Sequence, residues 1–141
     1  METLFGLVSL LPMPVWGAML LFPRTDFTRR LVTATWPLLV LAGVYATVLI
    51  VSLFAGGAVG SIGFDALRTA VGGEWGFLTA WTHMLALDLF AGIWIFRDAK
   101  YWGVSPTWFL VGTLVAGPLG LGAYLWVRSR RDRDDPVRLL N

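Results

Sequence analysis

The stretch Leu31–Phe54, LVTATWPLLVLAGVYATVLIVSLF, runs for 24 residues without a charged side chain. Crossing roughly 30 Å of hydrocarbon takes about 20 mostly apolar residues in a helix, so this stretch predicts a transmembrane helix. Three further apolar stretches are of similar length: Thr3–Phe22, Trp75–Phe96 and Pro106–Val127. We therefore predict an all-α integral membrane protein, a four-helix bundle that forms one domain over residues 1–141, with a basic tail at 128–141.

The composition supports a membrane environment. Of the 141 residues, 57% are hydrophobic and 14% are charged, which lies outside the usual range of soluble domains. The absence of cysteine excludes disulfides and thiolate chemistry, and one histidine without cysteine is a poor metal site. We predict no metal and no cofactor. Five basic residues lie in the last fourteen positions, where juxtamembrane charge explains them better than a nucleic-acid partner does.

Two segments should depart from straight transmembrane helices. Pro12 and Pro14 remove backbone donors within the first apolar stretch and predict a bend or a late start there. Between the second and third stretches, Ala55–Gly73 carries six glycines and is too interrupted to cross the membrane. Phe64, Leu67 and Val71 recur there at helical spacing, which predicts a short interfacial helix.

The charges leave the membrane orientation open. Four crossings would place the basic loops on one side, with Arg24, Arg29, Arg30, Arg97 and Lys100. Arg68 and the five basic residues of the tail would lie on the other side. The positive-inside rule is then nearly tied, so insertion in both orientations, and an antiparallel homodimer, stay open.

His83 and Asp88 are the ionisable side chains at clear membrane depth, both in the third predicted helix. An aspartate near the bilayer centre costs about 2.5–3.5 kcal/mol on insertion scales, so it should face the protein interior with a partner. At 100° per residue the two side chains lie roughly 140° apart around the helix, and whether they share one cavity stays open. Each is a candidate catalytic acid or base, with hydrogen bonding between helices as the alternative.

Asp98 lies beyond the end of the same helix, where the helix dipole disfavours a carboxylate. We expect a basic partner among Arg24, Arg29 and Arg30, in an ion pair that is either structural or part of a site. The three arginines themselves either bind anionic head groups or a polar substrate end, or only set the topology.

Aromatic residues make up 14% of the chain, and Trp81, Phe90 and Trp94 lie in the third predicted helix. Such side chains either line a slot for a long apolar ligand or face lipid. In the fourth stretch, the small residues of Gly117–Gly122 allow close helix packing or leave a ligand slot.

A set of short motifs runs through all four apolar stretches and is most specific in the third. The motifs are Leu11-Pro12, Phe22-Pro23-Arg24, Phe27-Thr28-Arg29-Arg30, Pro37, Tyr45, Glu74, Ala80-Trp81-Thr82-His83, Asp88-Leu89-Phe90, Asp98 and Gly117-Pro118-Leu119-Gly120. In these motifs the chain resembles a known family, the plant membrane proteins of the ABA-deficient-four type that are required for neoxanthin synthesis, and their bacterial relatives.

The resemblance implies a carotenoid-modifying role. Neoxanthin forms from violaxanthin by an isomerisation in which an epoxide opens and a proton leaves the adjacent polyene carbon, giving an allene. This needs an acid and a base but no redox cofactor. On this chain, His83 or Asp88 would assist proton removal, and the other, or Asp98, would protonate the epoxide oxygen. The substrate-binding residues implied are Trp81, Phe90, Trp94, Pro12, Tyr45, Pro118 and Tyr124.

The leading interpretation is thus a membrane enzyme of the neoxanthin-synthase type that acts on a carotenoid or related isoprenoid, in a bacterial cytoplasmic membrane. Two alternatives stay open. One is a non-catalytic carotenoid- or lipid-binding subunit, and the other is a small proton-coupled transporter that works as an antiparallel dimer.

Overall fold

The computed structural model describes residues 1–55 and 63–134, with side chains up to Arg131. Every regular element in these ranges is an α-helix, which confirms the predicted all-α class. The helices are α1 (Glu2–Leu10), α2 (Met13–Leu21), α3 (Asp26–Thr33), α4 (Trp36–Ala55), α5 (Phe64–Gly72), α6 (Glu74–Tyr101), α7 (Thr107–Ala116) and α8 (Pro118–Asp134).

Three helical stretches are long and apolar enough to cross a membrane: Glu2–Leu21, Trp36–Ala55 and Glu74–Tyr101. The first is formed by α1 and α2 together, and the break between them contains Pro12, as the prolines predict. α7 is apolar but has only 10 residues. Four membrane-spanning helices were predicted, and the described ranges contain three helical stretches that qualify as candidate crossings.

Several helix ends differ from the predicted bounds for identifiable reasons. α4 begins at Trp36 instead of Leu31, because Pro37 fits the first turn of a helix but not its interior. The residues before it form the separate amphipathic helix α3. α6 continues to Tyr101, past the predicted end at Phe96, with Glu74 in its first turn and Lys100 in its last.

The chain divides into two compact units. One contains residues 1–14 and 34–87, hence α1, α4, α5 and the first part of α6. Its core is formed by Val8, Val48 and Leu78, with Phe5 packed against them. These side chains come from α1, α4 and α6, so they join three helices that are distant in sequence.

α5 lies in this first unit, where the short interfacial helix is predicted. It spans Phe64–Gly72, and its apolar residues Phe64, Leu67 and Val71 are all exposed. Their spacing places them on one face of the helix. Residues 56–62 of the predicted interhelical segment lie outside the described ranges.

The other unit contains residues 15–33 and the chain from Asp88 onward, hence α2, α3, the second part of α6, α7 and α8. The Thr28 backbone amide donates to the Thr25 hydroxyl at 3.3 Å, which caps α3. The buried Thr28 hydroxyl lies 2.7 Å from the Phe22 carbonyl oxygen and so ties α3 to the end of α2.

α7 and α8 form an antiparallel hairpin within this second unit. A Cβ added at Gly112 would lie 3.2 Å from the Cα of Gly120, whereas residues eight apart in one continuous helix are about 12 Å apart. At the other end, Arg131 Nη1 donates to the carbonyl oxygens of Trp102 and Gly103, each at 3.2 Å. α8 therefore ends beside the loop that precedes α7.

The stretch predicted as a single fourth helix, 106–127, is thus two helices that fold back on each other. Gly117 separates them with a φ of 41°, a region that glycine adopts readily and other residues rarely. Pro118 then begins α8, where its missing N–H has no helical partner to lose.

Candidate functional site

A hydrogen-bonded ion pair joins the end of α6 to α8. Asp98 Oδ2 accepts a hydrogen bond from the Tyr124 hydroxyl at 2.5 Å and lies 3.2 Å from Arg128 Nε. The Asp98 side chain is 19% exposed and that of Arg128 is 34% exposed. Tyr124 and Arg128 are four residues apart and therefore share one face of α8. Two side chains of α8 thus hold the same carboxylate oxygen of Asp98.

Aromatic rings enclose this cluster. The Tyr124 ring is fully buried and meets Trp94 and Phe109 edge-on, with centroid distances of 5.7 and 5.4 Å. The Arg128 guanidinium lies 5.5 Å from the Trp94 ring centroid and 5.3 Å from that of Trp102. Arginine over indole gives a cation–π attraction of about 0.5–2 kcal/mol. Because the Asp98 side chain is mostly buried beside these rings, its ion pair is screened less than one on the surface.

Asp88 occupies a different place in the same unit. Its half-buried carboxylate lies against the hairpin turn, where a Cβ added at Gly117 would come within 2.7 Å of Asp88 Oδ1. The turn thus needs glycine both for its backbone conformation and to leave room for this carboxylate. Asp88 faces protein, as the cost of a charge in hydrocarbon requires.

His83 lies in the first unit. Its side chain is exposed, and its ring is 5.2 Å from the half-buried ring of Tyr45. Trp81, also in that unit, donates from Nε1 to the Ser9 hydroxyl at 2.9 Å and contacts the ring of Phe5 at 5.3 Å. Within this unit, the structure therefore brings Tyr45 to His83 and α1 to Trp81.

The remaining predicted site residues differ in how far they are exposed. Phe90 and Pro118 are exposed, whereas Pro12 is buried. Arg24 and Arg30 are exposed. Arg29 makes an exposed ion pair with Asp26, at 3.6 Å. One of these three arginines was the expected partner of Asp98, but the structure pairs Asp98 with Arg128 instead.

Arg128 and Ser9 are the residues that sequence reasoning missed. Arg128 was treated as tail charge, although its position four residues after Tyr124 places both on one helix face. That spacing was the available signal. Ser9 carries no comparable signal, because a single serine in an apolar helix fits many environments.

Fold and site together define a helical membrane protein with a polar cluster near one end of its longest apolar helix. The chain belongs to the ABA DEFICIENT 4-like family, whose model matches residues 3–124. This match confirms the resemblance read from the sequence. No curated protein and no solved structure matches the chain.

Proposed function

We propose that this protein isomerises the oxygenated end group of a carotenoid or related isoprenoid, with Asp98 as the catalytic base. The family relationship associates the chain with neoxanthin synthesis. The observation that carries the proposal is the Asp98 carboxylate held between Tyr124 and Arg128, because the isomerisation needs a positioned base.

The position of the cluster suits such a substrate. Asp98 precedes the last residue of α6, Tyr101, by three positions, which corresponds to about 4.5 Å along the helix axis. An oxygenated carotenoid end group prefers the level of the lipid head groups, and its polyene prefers hydrocarbon. A cluster at the end of a membrane-length helix can meet the polar end while the polyene stays in the apolar region.

The chemistry requires no change in oxidation state. Asp98 removes the proton from the polyene carbon beside the epoxide, and the C–O bond of the epoxide breaks as the allene forms. The Arg128 guanidinium stabilises the negative charge that develops on the oxygen. The proton then passes from Asp98 to that oxygen, giving a hydroxyl and an isomer of unchanged mass. Tyr124 is a positioning residue that orients the carboxylate by its hydrogen bond.

We assign the role of base to Asp98, and not to His83 or Asp88, because of its contacts. Asp98 has both a hydrogen-bond donor and a cation on the same oxygen. His83 is exposed beside Tyr45, and Asp88 lies against the backbone of a turn. These two positions remain candidates for binding the rest of the ligand.

The test is pigment analysis in a bacterial host that makes epoxide-bearing carotenoids. The wild-type chain should yield an allenic isomer, and Asp98→Asn should lower its formation by about 100-fold or more, the usual contribution of a positioned acid or base. Asp26→Asn is the matched control, because Asp26 also forms an ion pair with an arginine but is 84% exposed. Protein amounts in the membrane fraction are compared for all variants.

Full activity of Asp98→Asn would contradict the assigned base. Unaltered pigment that copurifies with the wild-type chain would instead support the non-catalytic binding subunit. Arg128→Lys separates charge from geometry, since lysine keeps the positive charge but loses the planar guanidinium. We expect it to retain only part of the activity.

A further inference from the structure

The length and direction of α7 exclude a crossing by that helix. Its 10 residues span about 15 Å, half of the hydrocarbon thickness. α8 then returns along it, since Gly120 packs on Gly112 and Arg131 reaches the carbonyl of Trp102. A chain that follows this path ends on the side from which it started.

The turn of the hairpin is suited to membrane depth. The Gly117 amide donates to the Thr113 carbonyl oxygen at 2.8 Å, and Gly117 is buried. Irregular backbone is tolerated within a bilayer only where protein or a cavity covers it. Asp88 lies beside the turn, 13 residues before the end of α6, which is about 20 Å along the helix.

Three crossings followed by a returning hairpin change the charge balance. The segment between the second and third crossings contains Arg68, on α5. All other basic side chains that the structure describes then fall on the opposite side: Arg24, Arg29, Arg30, Arg97, Lys100, Arg128, Arg130 and Arg131. The near tie obtained with four crossings becomes eight against one, a strong positive-inside bias.

We infer that the chain crosses the membrane three times, with α1 starting outside, and that α7 and α8 form a re-entrant hairpin whose open end faces the cytoplasm. The open end lies where Arg131 meets the loop before α7. Asp98, Tyr124 and Arg128 are next to it in the second unit. If the proposed function holds, on which this last step rests, the oxygenated end of the substrate reaches Asp98 from the cytoplasmic leaflet.

Single-cysteine labelling tests the topology directly, because the natural chain has no cysteine. Ser105→Cys and Ser129→Cys flank the hairpin, and Thr69→Cys lies on α5; all three positions are exposed. A membrane-impermeant maleimide is applied to intact spheroplasts and to inverted vesicles. We expect Ser105→Cys and Ser129→Cys to react only in inverted vesicles, and Thr69→Cys only in spheroplasts.

Reaction of Ser105→Cys and Ser129→Cys from opposite sides would overturn the re-entrant hairpin and restore a fourth crossing. Reaction of both from outside would overturn the orientation. Val115→Cys, 81% exposed near the turn, should stay unlabelled and controls for membrane depth. A fluorescent protein fused to the C-terminus, which matures only in the cytoplasm, gives a second measurement without any substitution. None of these readouts depends on activity, so the topology and the proposed function can fail separately.

Discussion

Tyr124 combines complete burial with a hydrogen bond to a charged group. Its hydroxyl donates to Asp98, and its ring is packed between Trp94 and Phe109. A hydrogen bond to an ionised partner contributes about 1.5–3 kcal/mol. The ring supplies packing that phenylalanine would preserve, so the hydroxyl can be tested by itself.

Tyr124→Phe should lower the free energy of unfolding in detergent by about 1.5–3 kcal/mol, because it leaves Asp98 without its hydrogen-bond donor. Thermal unfolding followed by tryptophan fluorescence measures the loss. Asp26→Asn should change stability by less than about 1 kcal/mol, since its ion pair is exposed. Equal losses of unfolding free energy for the two variants would show that the hydrogen bond between Tyr124 and Asp98 contributes nothing.

The sequence predicted a basic partner for Asp98 but did not identify Arg128 as that partner. The need of Asp98 for a basic partner followed from its place at a helix C-terminus. The partner itself did not follow, because a continuous fourth helix puts Arg128 across the membrane from Asp98. The prediction of one continuous helix over 106–127 therefore removed Arg128 from consideration and left Arg24, Arg29 and Arg30.

At the scale of elements, the hairpin depends on two glycines in contact. A Cβ at Gly120 would overlap the backbone of Gly112 and Thr113. A Cβ at Gly122, on the same helix, would meet nothing within 4 Å. The two positions therefore form a matched pair in which only one is needed for close packing.

Gly120→Ala should destabilise the protein by about 1–3 kcal/mol or more, because α7 and α8 must separate to make room. Gly122→Ala should be neutral or stabilising by up to about 1 kcal/mol, as expected for a helical glycine with free space. Thermal unfolding of both variants in the same detergent checks this. Destabilisation by Gly122→Ala to the same extent would argue against the hairpin contact.

The sequence predicted most helices but could not separate a bent crossing from a hairpin. Hydropathy treats 106–127 as one apolar stretch, and Gly117-Pro118 is compatible with either a kink or a reversal. The contact between Gly112 and Gly120 shows that the chain reverses at this point. Such a contact depends on tertiary packing and cannot be read from hydropathy. In contrast, the break at Pro12 followed from the chemistry of proline alone.

At the scale of the whole molecule, most of α4 is not covered by the residues that the structure describes. Only 11% of its most apolar 18-residue stretch is buried inside the protein. Leu41 is 2% exposed, whereas Leu39 on the same helix is 63% exposed. Lipid or a second copy of the chain could pack on this exposed face, and the predicted homodimer remains a proposal.

Leu41→Ala should cost about 2–5 kcal/mol, the usual range for a buried leucine, and Leu39→Ala about 0.5 kcal/mol or less if lipid covers it. Unfolding in detergent gives both values, and light scattering gives the oligomeric state. A shift from dimer to monomer in Leu39→Ala would identify α4 as a homodimer interface. Comparing the two losses of unfolding free energy thus shows whether lipid or protein covers the exposed face of α4.

The shortness of α7 also bears on how the protein is made. A segment of 10 residues is too short to be released sideways into lipid by the translocon as an independent span. Its turn at Gly117 would expose backbone to hydrocarbon until α6, with Asp88, is in place beside it. If the inferred re-entrant hairpin holds, α6 has to enter the bilayer before the hairpin inserts against it.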